Sequence, residues 1–457
     1  MAAKREIDML NGTLWDKILR YALPVAATGI LEQLFNASGI MIVGNFSHGN
    51  GTADVAAVGS NAPVTGLILN LFIGLALGAN VVIANAIGRG SGDAVRKAVH
   101  TSIIAAVAGG VMVALIGELV ARPLLGMLNV TAEVFPLALT YLRIYLLGMP
   151  VILLYNFEAA IFRSVGDTQA PLAVLTISGV LNVTFGLFFV IVCGMSVDGV
   201  ALATVLANVI SSMILLYRLV HTDAVIGVRL RDLRVDWLTL RQILRIGLPA
   251  GIQSAVFAVA NIIIQAAINS LGTVVMAASS AAFNIEIIAY YMFNSFSQAC
   301  ATFTGQNHGA RQIRRCRRVL GLCVAEAFVC TAATIALVLF FGHGLLGLFD
   351  SNPEVIAVGF IRLVLVFSAY PFSMLYEVMS GYLRGFGISL MPAVLTIIGV
   401  CGVRLTWIWF VFPLYRTFTA IMIVYPISLA ATAVLIGIAT LVYRPSKRFA
   451  HLEHATA

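Results

Sequence analysis

Apolar runs broken by short polar stretches fill the chain from about residue 17 to residue 442. Three of them, Ile103–Ile116, Leu172–Cys193 and Thr331–Phe341, contain no charged side chain. A helix needs about 20 apolar residues to cross a hydrocarbon core about 30 Å thick, so the breaks predict twelve membrane-crossing helices. The first six fall near 17–44, 55–87, 95–120, 135–161, 172–193 and 198–218. The second six fall near 241–269, 274–305, 318–341, 355–383, 392–413 and 417–442. Pro24, Pro150, Pro249, Pro371 and Pro426 lie within these runs and are expected to kink them. Ahead of the first run stand Lys4, Arg5 and polar sequence through Asp16, with no short apolar segment and cleavage site, which predicts a retained first helix.

Composition agrees with this pattern. Of 457 residues, 60% are hydrophobic and 11% charged, whereas a soluble domain carries about 25% charged residues. The expected fold class is an all-α integral membrane protein. The six cysteines are scattered, without CxxC or metal-ligand spacing, and read as small packing residues. The net charge of +8 has a topological explanation. Lys4, Arg5, Lys17, Arg20, Arg89, Arg163, Arg218, the cluster Arg311–Arg318, Arg384 and Arg444 fall on one side of the predicted spans. Only Arg122, Arg143, Arg362 and Arg416 fall on the other. The positive-inside rule then puts both termini in the cytoplasm of a multi-pass inner or plasma membrane protein. Basic loops of this kind face anionic lipid, and no nucleic-acid partner is needed to explain them.

The chain also repeats itself. Ile18-Leu19-Arg20-x-x-Leu23-Pro24 returns as Ile243-Leu244-Arg245-x-x-Leu248-Pro249, 225 positions later, and Asn36 matches Asn261 at the same shift. Further on the shift is 221, pairing Pro150 with Pro371, Arg163 with Arg384 and Gly166 with Gly387. Ala173–Ile177 recurs verbatim at Ala393–Ile397. Each copy holds six predicted helices, an even number, so both copies have the same orientation. The expected domains are an N-lobe over 1–220, a cytoplasmic linker over 221–240, a C-lobe over 241–443 and a tail over 444–457. The lobes are expected to be related by a pseudo-two-fold along the membrane normal, with a solute site at their interface and a linker long enough to let them pivot.

Several stretches resemble one transporter family, in order and through both halves. They are LEQLFNASGIMIVG (Leu31–Gly44), YNFEAAIFRSVGDTQAPLAVLTISGV (Tyr155–Val180), ILRIGLPAG (Ile243–Gly251), FTGQNHGA (Phe303–Ala310) and GYLRGFG (Gly381–Gly387). The chain is similar to the multidrug and toxic compound extrusion (MATE) transporters of bacterial type. That resemblance implies two six-helix lobes around a V-shaped cavity, alternating access, and efflux of amphipathic organic cations and drugs driven by inward H⁺ or Na⁺. One position departs from it. Many relatives carry an Asp three residues after the Asn of the first helix; here Asn36 is followed by Ala37, Ser38 and Gly39.

Ionisable residues at membrane depth are candidates for ion coupling, because a carboxylate there must be neutralised by a proton or a cation. Glu32, two turns before Gly39, is the first choice, followed by Glu286 and Glu377. Glu158, five residues before Arg163, reads as an interfacial pair or gate, and Glu118 and Glu326 as side chains that snorkel to an interface. Asn36, Asn182, Asn261, Tyr290 and Arg404 are candidates for the solute cavity. Tyr290 stands one turn after Glu286, a charge and a ring suited to a cationic ligand. Asn36 and Asn261, being duplicated, also read as helix-packing residues. Arg404, mid-helix, requires a partner, for which Glu286 and Glu377 are the expected choices.

No Walker GxxxxGK[ST], HExxH or GxSxG motif occurs. The expected function is therefore not enzymatic and not driven directly by ATP. It is secondary antiport of a small-molecule substrate by a lipid-embedded monomer, with no cofactor and with H⁺ or Na⁺ as coupling ion. A lipid-intermediate flippase and an uncoupled facilitator or sensor are the alternatives.

Overall fold

The computed structural model describes residues 6–47, 51–127, 130–349 and 352–449. Lys4, Arg5 and residues 450–457 of the expected tail lie outside them. Among the described residues the chain is helical throughout, without strands. Ten helices are long and apolar enough to cross a bilayer, and two bent pairs bring the total to twelve. They are α1 (Trp15–Phe46), α2 (Gly51–Gly88), α3 (Gly92–Met127), α4 (Phe135–Leu147 with Met149–Ser164), α5 (Gln169–Val192) and α6 (Val197–Val220). The second set is α7 (Trp237–Asn269), α8 (Thr273–Gly309), α9 (Ile313–Gly347), α10 (Pro353–Ser368 with Tyr370–Gly385), α11 (Leu390–Phe410) and α12 (Phe418–Arg448).

The bends in α4 and α10 measure 50° and 45°. Each lies beside one of the paired prolines, Pro150 and Pro371, whose rings lack an N–H and crowd the preceding turn. The second bent helix also shows why it starts where it does: Asn352 accepts a hydrogen bond from the Glu354 N–H at 3.0 Å, and Pro353 occupies the first helical turn. Two π-helical segments interrupt the α geometry, Phe188–Val192 in α5 and Ile397–Gly402 in α11.

The chain divides into two compact units. The first comprises 1–7, 27–87 and 91–244, the second 8–26, 88–90 and 245–457. In the first unit α3 packs along both halves of α4, and α6 packs on α4 and α5. The close approach of α3 to α4 requires Gly110, where a Cβ would stand 2.3 Å from the Pro150 Cα. In the second unit α8 packs on α9 and on both halves of α10, and α12 packs on α10 and on the π-helical turn of α11.

This division differs from the lobes expected from the repeat. Residues 8–26 pack with the second unit because its side chains gather the carbonyls of the N-terminal turn. Arg315 donates to the carbonyls of Met9, Gly12 and Asn11 at 3.2, 2.9 and 3.1 Å, and Asn307 donates to that of Met9 at 3.1 Å. Higher in α1, the Tyr21 hydroxyl lies 2.8 Å from Thr302 Oγ1. The expected pivoting linker, 221–240, is instead docked on α3 of the first unit. The His100 ring bridges the Asp232 carbonyl at 3.1 Å and the Arg229 N–H at 3.5 Å, and Thr101 Oγ1 accepts from the Asp236 N–H at 3.0 Å.

Candidate functional site

Helices immersed in lipid satisfy their own backbone, so polar side chains inside them must find partners on neighbouring helices or face water. Each unit carries its own set of such residues.

In the first unit, Glu158 of α4 is wholly buried. Its Oε2 accepts a hydrogen bond from Ser212 of α6 at 3.1 Å, and its Oε1 is sealed without a partner. The sequence reading of Glu158 as an interfacial pair with Arg163 does not hold. The helix packing puts the carboxyl inside the bundle, and its hydrogen bond goes to a serine. Glu32 of α1 is half-buried, and the nearest charge acting on it is Arg163 of α4. Tyr145 and Tyr155 stand within electrostatic range of the same carboxyl. Asn182 of α5 accepts from Thr204 of α6 at 3.4 Å. Gly39, where the resemblance implies an Asp, is buried, and a Cβ there would stand 3.0 Å from Val200 Cγ1.

In the second unit, Glu286 of α8 is engaged in an ion pair. Arg362 of α10 holds it in both oxygens, Nε to Oε1 at 2.6 Å and Nη2 to Oε2 at 2.9 Å, while Nη1 donates to Ser279 at 2.5 Å. The pair is buried on both sides, Arg362 at 2% exposure and Glu286 at 5%. Arg362, counted from the sequence among the few cations on the outer side, lies far enough along α10 to point inward. Tyr290 leaves Glu286 as well: its hydroxyl accepts from Asn294, which in turn accepts from Gln298, a ladder of steps of four along α8. Its electrostatic neighbours are Glu377, Tyr376 and Arg384.

Glu377 of α10 is buried, and among the described residues its carboxyl makes no hydrogen bond. Arg384, one element of charge within range of it, donates to Gln253 of α7 at 2.8 Å. Arg404 of α11 finds neither of its expected partners. Its Nε donates to Ser428 Oγ at 3.1 Å, and its guanidinium lies 4.1 Å over the Tyr425 ring. The reason is geometric: Glu286 is already occupied by Arg362, which approaches the same Tyr425 ring at 5.8 Å.

Asn36 and Asn261, candidates for the solute cavity that also read as helix-packing residues, are both exposed and make no hydrogen bond among the described residues. Glu326 does not snorkel, since both its oxygens are sealed, whereas Glu118 pairs with Arg143 at 2.8 Å in an exposed position. No cluster of three metal-ligating side chains occurs among the described residues. Among the described residues, the interior of the first unit thus offers one carboxyl lacking a salt-bridge partner, Glu158, and that of the second offers two, Glu377 and Glu326.

A family model for MatE matches residues 24–188 and 249–410, one segment in each repeat, beginning at the paired Pro24 and Pro249. The chain belongs to the MatE family. As a MATE protein it is a multi-pass membrane protein of a transporter family, and the resemblance read from the sequence is correct. A Bacillus subtilis protein named a probable multidrug resistance protein, YoeA, is 25% identical over 404 residues, covering 86% of each chain. A Shewanella oneidensis protein named an FAD transporter is 23% identical over 347 residues, covering 73% of this chain and 76% of its own. The fold is that of a solved MATE crystal structure in complex with MaL6, with a TM-score of 0.88 at 22% identity and 98% coverage of both chains.

Proposed function

We propose that this chain is a secondary active efflux transporter of the multidrug type, an antiporter exporting amphipathic organic compounds in exchange for H⁺ or Na⁺. It sits in the cell membrane with both termini in the cytoplasm, and its two repeats rock between inward- and outward-open states. The observation that carries this reading is Glu158, wholly buried inside a helix bundle with one oxygen unsatisfied and no cation paired to it. A carboxyl in such a place is satisfied by a proton or a bound cation. Glu32 in the first unit and Glu377 in the second complete the set of carboxyls through which a gradient acts. The absence of a nucleotide-binding motif leaves an ion gradient as the energy source, worth about 2.3 kcal/mol per charge per 100 mV. The family relationship supports export of drugs, and the Shewanella oneidensis relative named an FAD transporter widens the solute class beyond cations.

Proteoliposomes test the reading. With a pH gradient and a Na⁺ gradient imposed separately, export of a fluorescent amphiphile responds to one of them. Export indifferent to both would leave an uncoupled facilitator.

A further inference from the structure

We propose that Arg404 forms, inside the second unit, a binding site for the anionic group of an amphipathic solute, a carboxylate or phosphate carried on an aromatic or apolar body. The proposal deepens the transport reading above by naming the charge class of the cargo.

Three observations carry it. First, the charges do not balance. The fully buried charged side chains of this unit, among the described residues, are Arg362, Arg384 and Arg404 against Glu286 and Glu377. Glu286 is bound by Arg362, and Arg404 makes no ion pair with Glu377 or with any other carboxylate among the described residues. Burying a guanidinium is costly unless a partner restores what water supplied, and the protein supplies a ring and one hydroxyl.

Second, the free part of Arg404 is the part that recognises oxyanions. Its Nε is committed to Ser428, and the Tyr425 ring covers one face of the guanidinium. Nη1 and Nη2 donate to no group of the described residues, and neither is sealed in the way Arg384 Nε is. Those two nitrogens form the planar end of the fork, whose parallel N–H bonds match a carboxylate or a phosphate. Tyr425 and Tyr376 beside it offer aromatic surface to the body of such a solute.

Third, the backbone is specialised at this point. The π-helical turn Ile397–Gly402 ends two residues before Arg404 and turns the following residue around the helix axis; such turns recur at functional sites. Gly399 in that turn lets α12 come close, since a Cβ there would meet Thr432 Oγ1 at 2.3 Å. In the first repeat the position corresponding to Arg404 is Thr184, an exposed residue bonded to its own helix. The cation belongs to one half of the duplication only, as expected of a specificity device added to a symmetric frame.

The experiment uses the full-length protein in neutral detergent, without any gradient, so that it fails or succeeds independently of transport. Two matched pairs serve as probes: flavin mononucleotide with riboflavin, and naphthalene-1-acetate with naphthalene-1-acetamide. The wild-type protein binds the charged member of at least one pair about tenfold more tightly than the neutral one, the scale of one charge-assisted hydrogen bond. Arg404→Lys keeps part of that preference and Arg404→Gln removes it. Phenylglyoxal treatment of the wild-type protein covers the case in which the variant does not fold. Flavin mononucleotide protects Arg404 from modification and riboflavin does not. Dioleoyl phosphatidate in mixed micelles separates the two sources of a phosphate: displacement of the flavin assigns the site to a lipid headgroup, and no displacement assigns it to a soluble anion. No charge preference in either pair, a preference that survives Arg404→Gln, or equal modification with both flavins would overturn the proposal.

Discussion

Arg362 grips Glu286 through two nitrogens, at 2.6 and 2.9 Å, across 76 residues of sequence. A buried ion pair loses far more when one partner is removed than when both are replaced together. Glu286→Gln or Arg362→Met alone is expected to lower stability by about 3–5 kcal/mol, and the double variant to recover most of that loss. Thermal unfolding of the four proteins in detergent measures it. Transport lost in the single variants and regained in the double one marks the pair as structural. Loss that persists in the well-folded double variant returns Glu286 to the coupling machinery.

Glu158 predicts the opposite pattern. A glutamine there keeps the acceptor for Ser212 and strands no cation. Glu158→Gln is therefore expected to unfold within a few degrees of wild type, and the same is expected of Glu32→Gln and Glu377→Gln. Gradient-driven export falls by about tenfold or more in each, while exchange of solute without a gradient continues. A variant with unchanged gradient-driven export is removed from the coupling set.

Gly39 tests why this chain lacks the carboxyl that the resemblance implies in the first helix. Its Cα faces Val200 so closely that a Cβ would stand 3.0 Å from Cγ1. Gly39→Asp is expected to destabilise the protein by about 1–3 kcal/mol through overpacking. Val200→Ala in the same chain relieves most of it. A Gly39→Asp protein as stable as wild type shows that the α1–α6 packing gives way easily and that sterics do not exclude the carboxyl.

The N-terminal turn carries a pH dependence of known sign. Burial pushes the Asp8 carboxyl up, but hydrogen bonds from the Asn11 side chain and from the Leu10 and Asn11 N–H groups, with the charge of Lys17, together hold it below 3.8. The folded state therefore favours the ionised form. Its contribution is present above the ordinary carboxylate value and is lost as pH falls through the lower folded value. Residues 9–12, gathered by Arg315, are expected to become protease-sensitive in acid before the helices unfold. In Asp8→Asn that sensitivity is present already at neutral pH. A turn equally resistant in both proteins at neutral pH contradicts this.

Much of this was legible in the sequence. The twelve apolar runs became twelve spans because the bilayer imposes a length on each. Pro150 and Pro371 announced two bends because a missing N–H acts locally. The pairings were not legible. Arg362, nine residues after Pro353, read as an outer-side cation, and only the fold turns it toward Glu286. Arg404 demanded a partner, and the sequence offered carboxylates; an aromatic ring and a serine hydroxyl took their place because the nearer carboxylate was occupied. Asn36 and Asn261 read as packing residues because they are duplicated, yet both are exposed. Periodicity states which face a residue shares along its own helix, not which neighbour meets that face.

Alternating access is tested most directly by distances between spin labels in lipid nanodiscs. Glu133 with Glu354, and Gln169 with Leu390, are exposed repeat-equivalent pairs at opposite ends of the spans. Acidification, or addition of Na⁺, is predicted to lengthen one distance and shorten the other. Distances that stay fixed under both conditions, or that lengthen together, would contradict a transporter whose two repeats open to one side at a time.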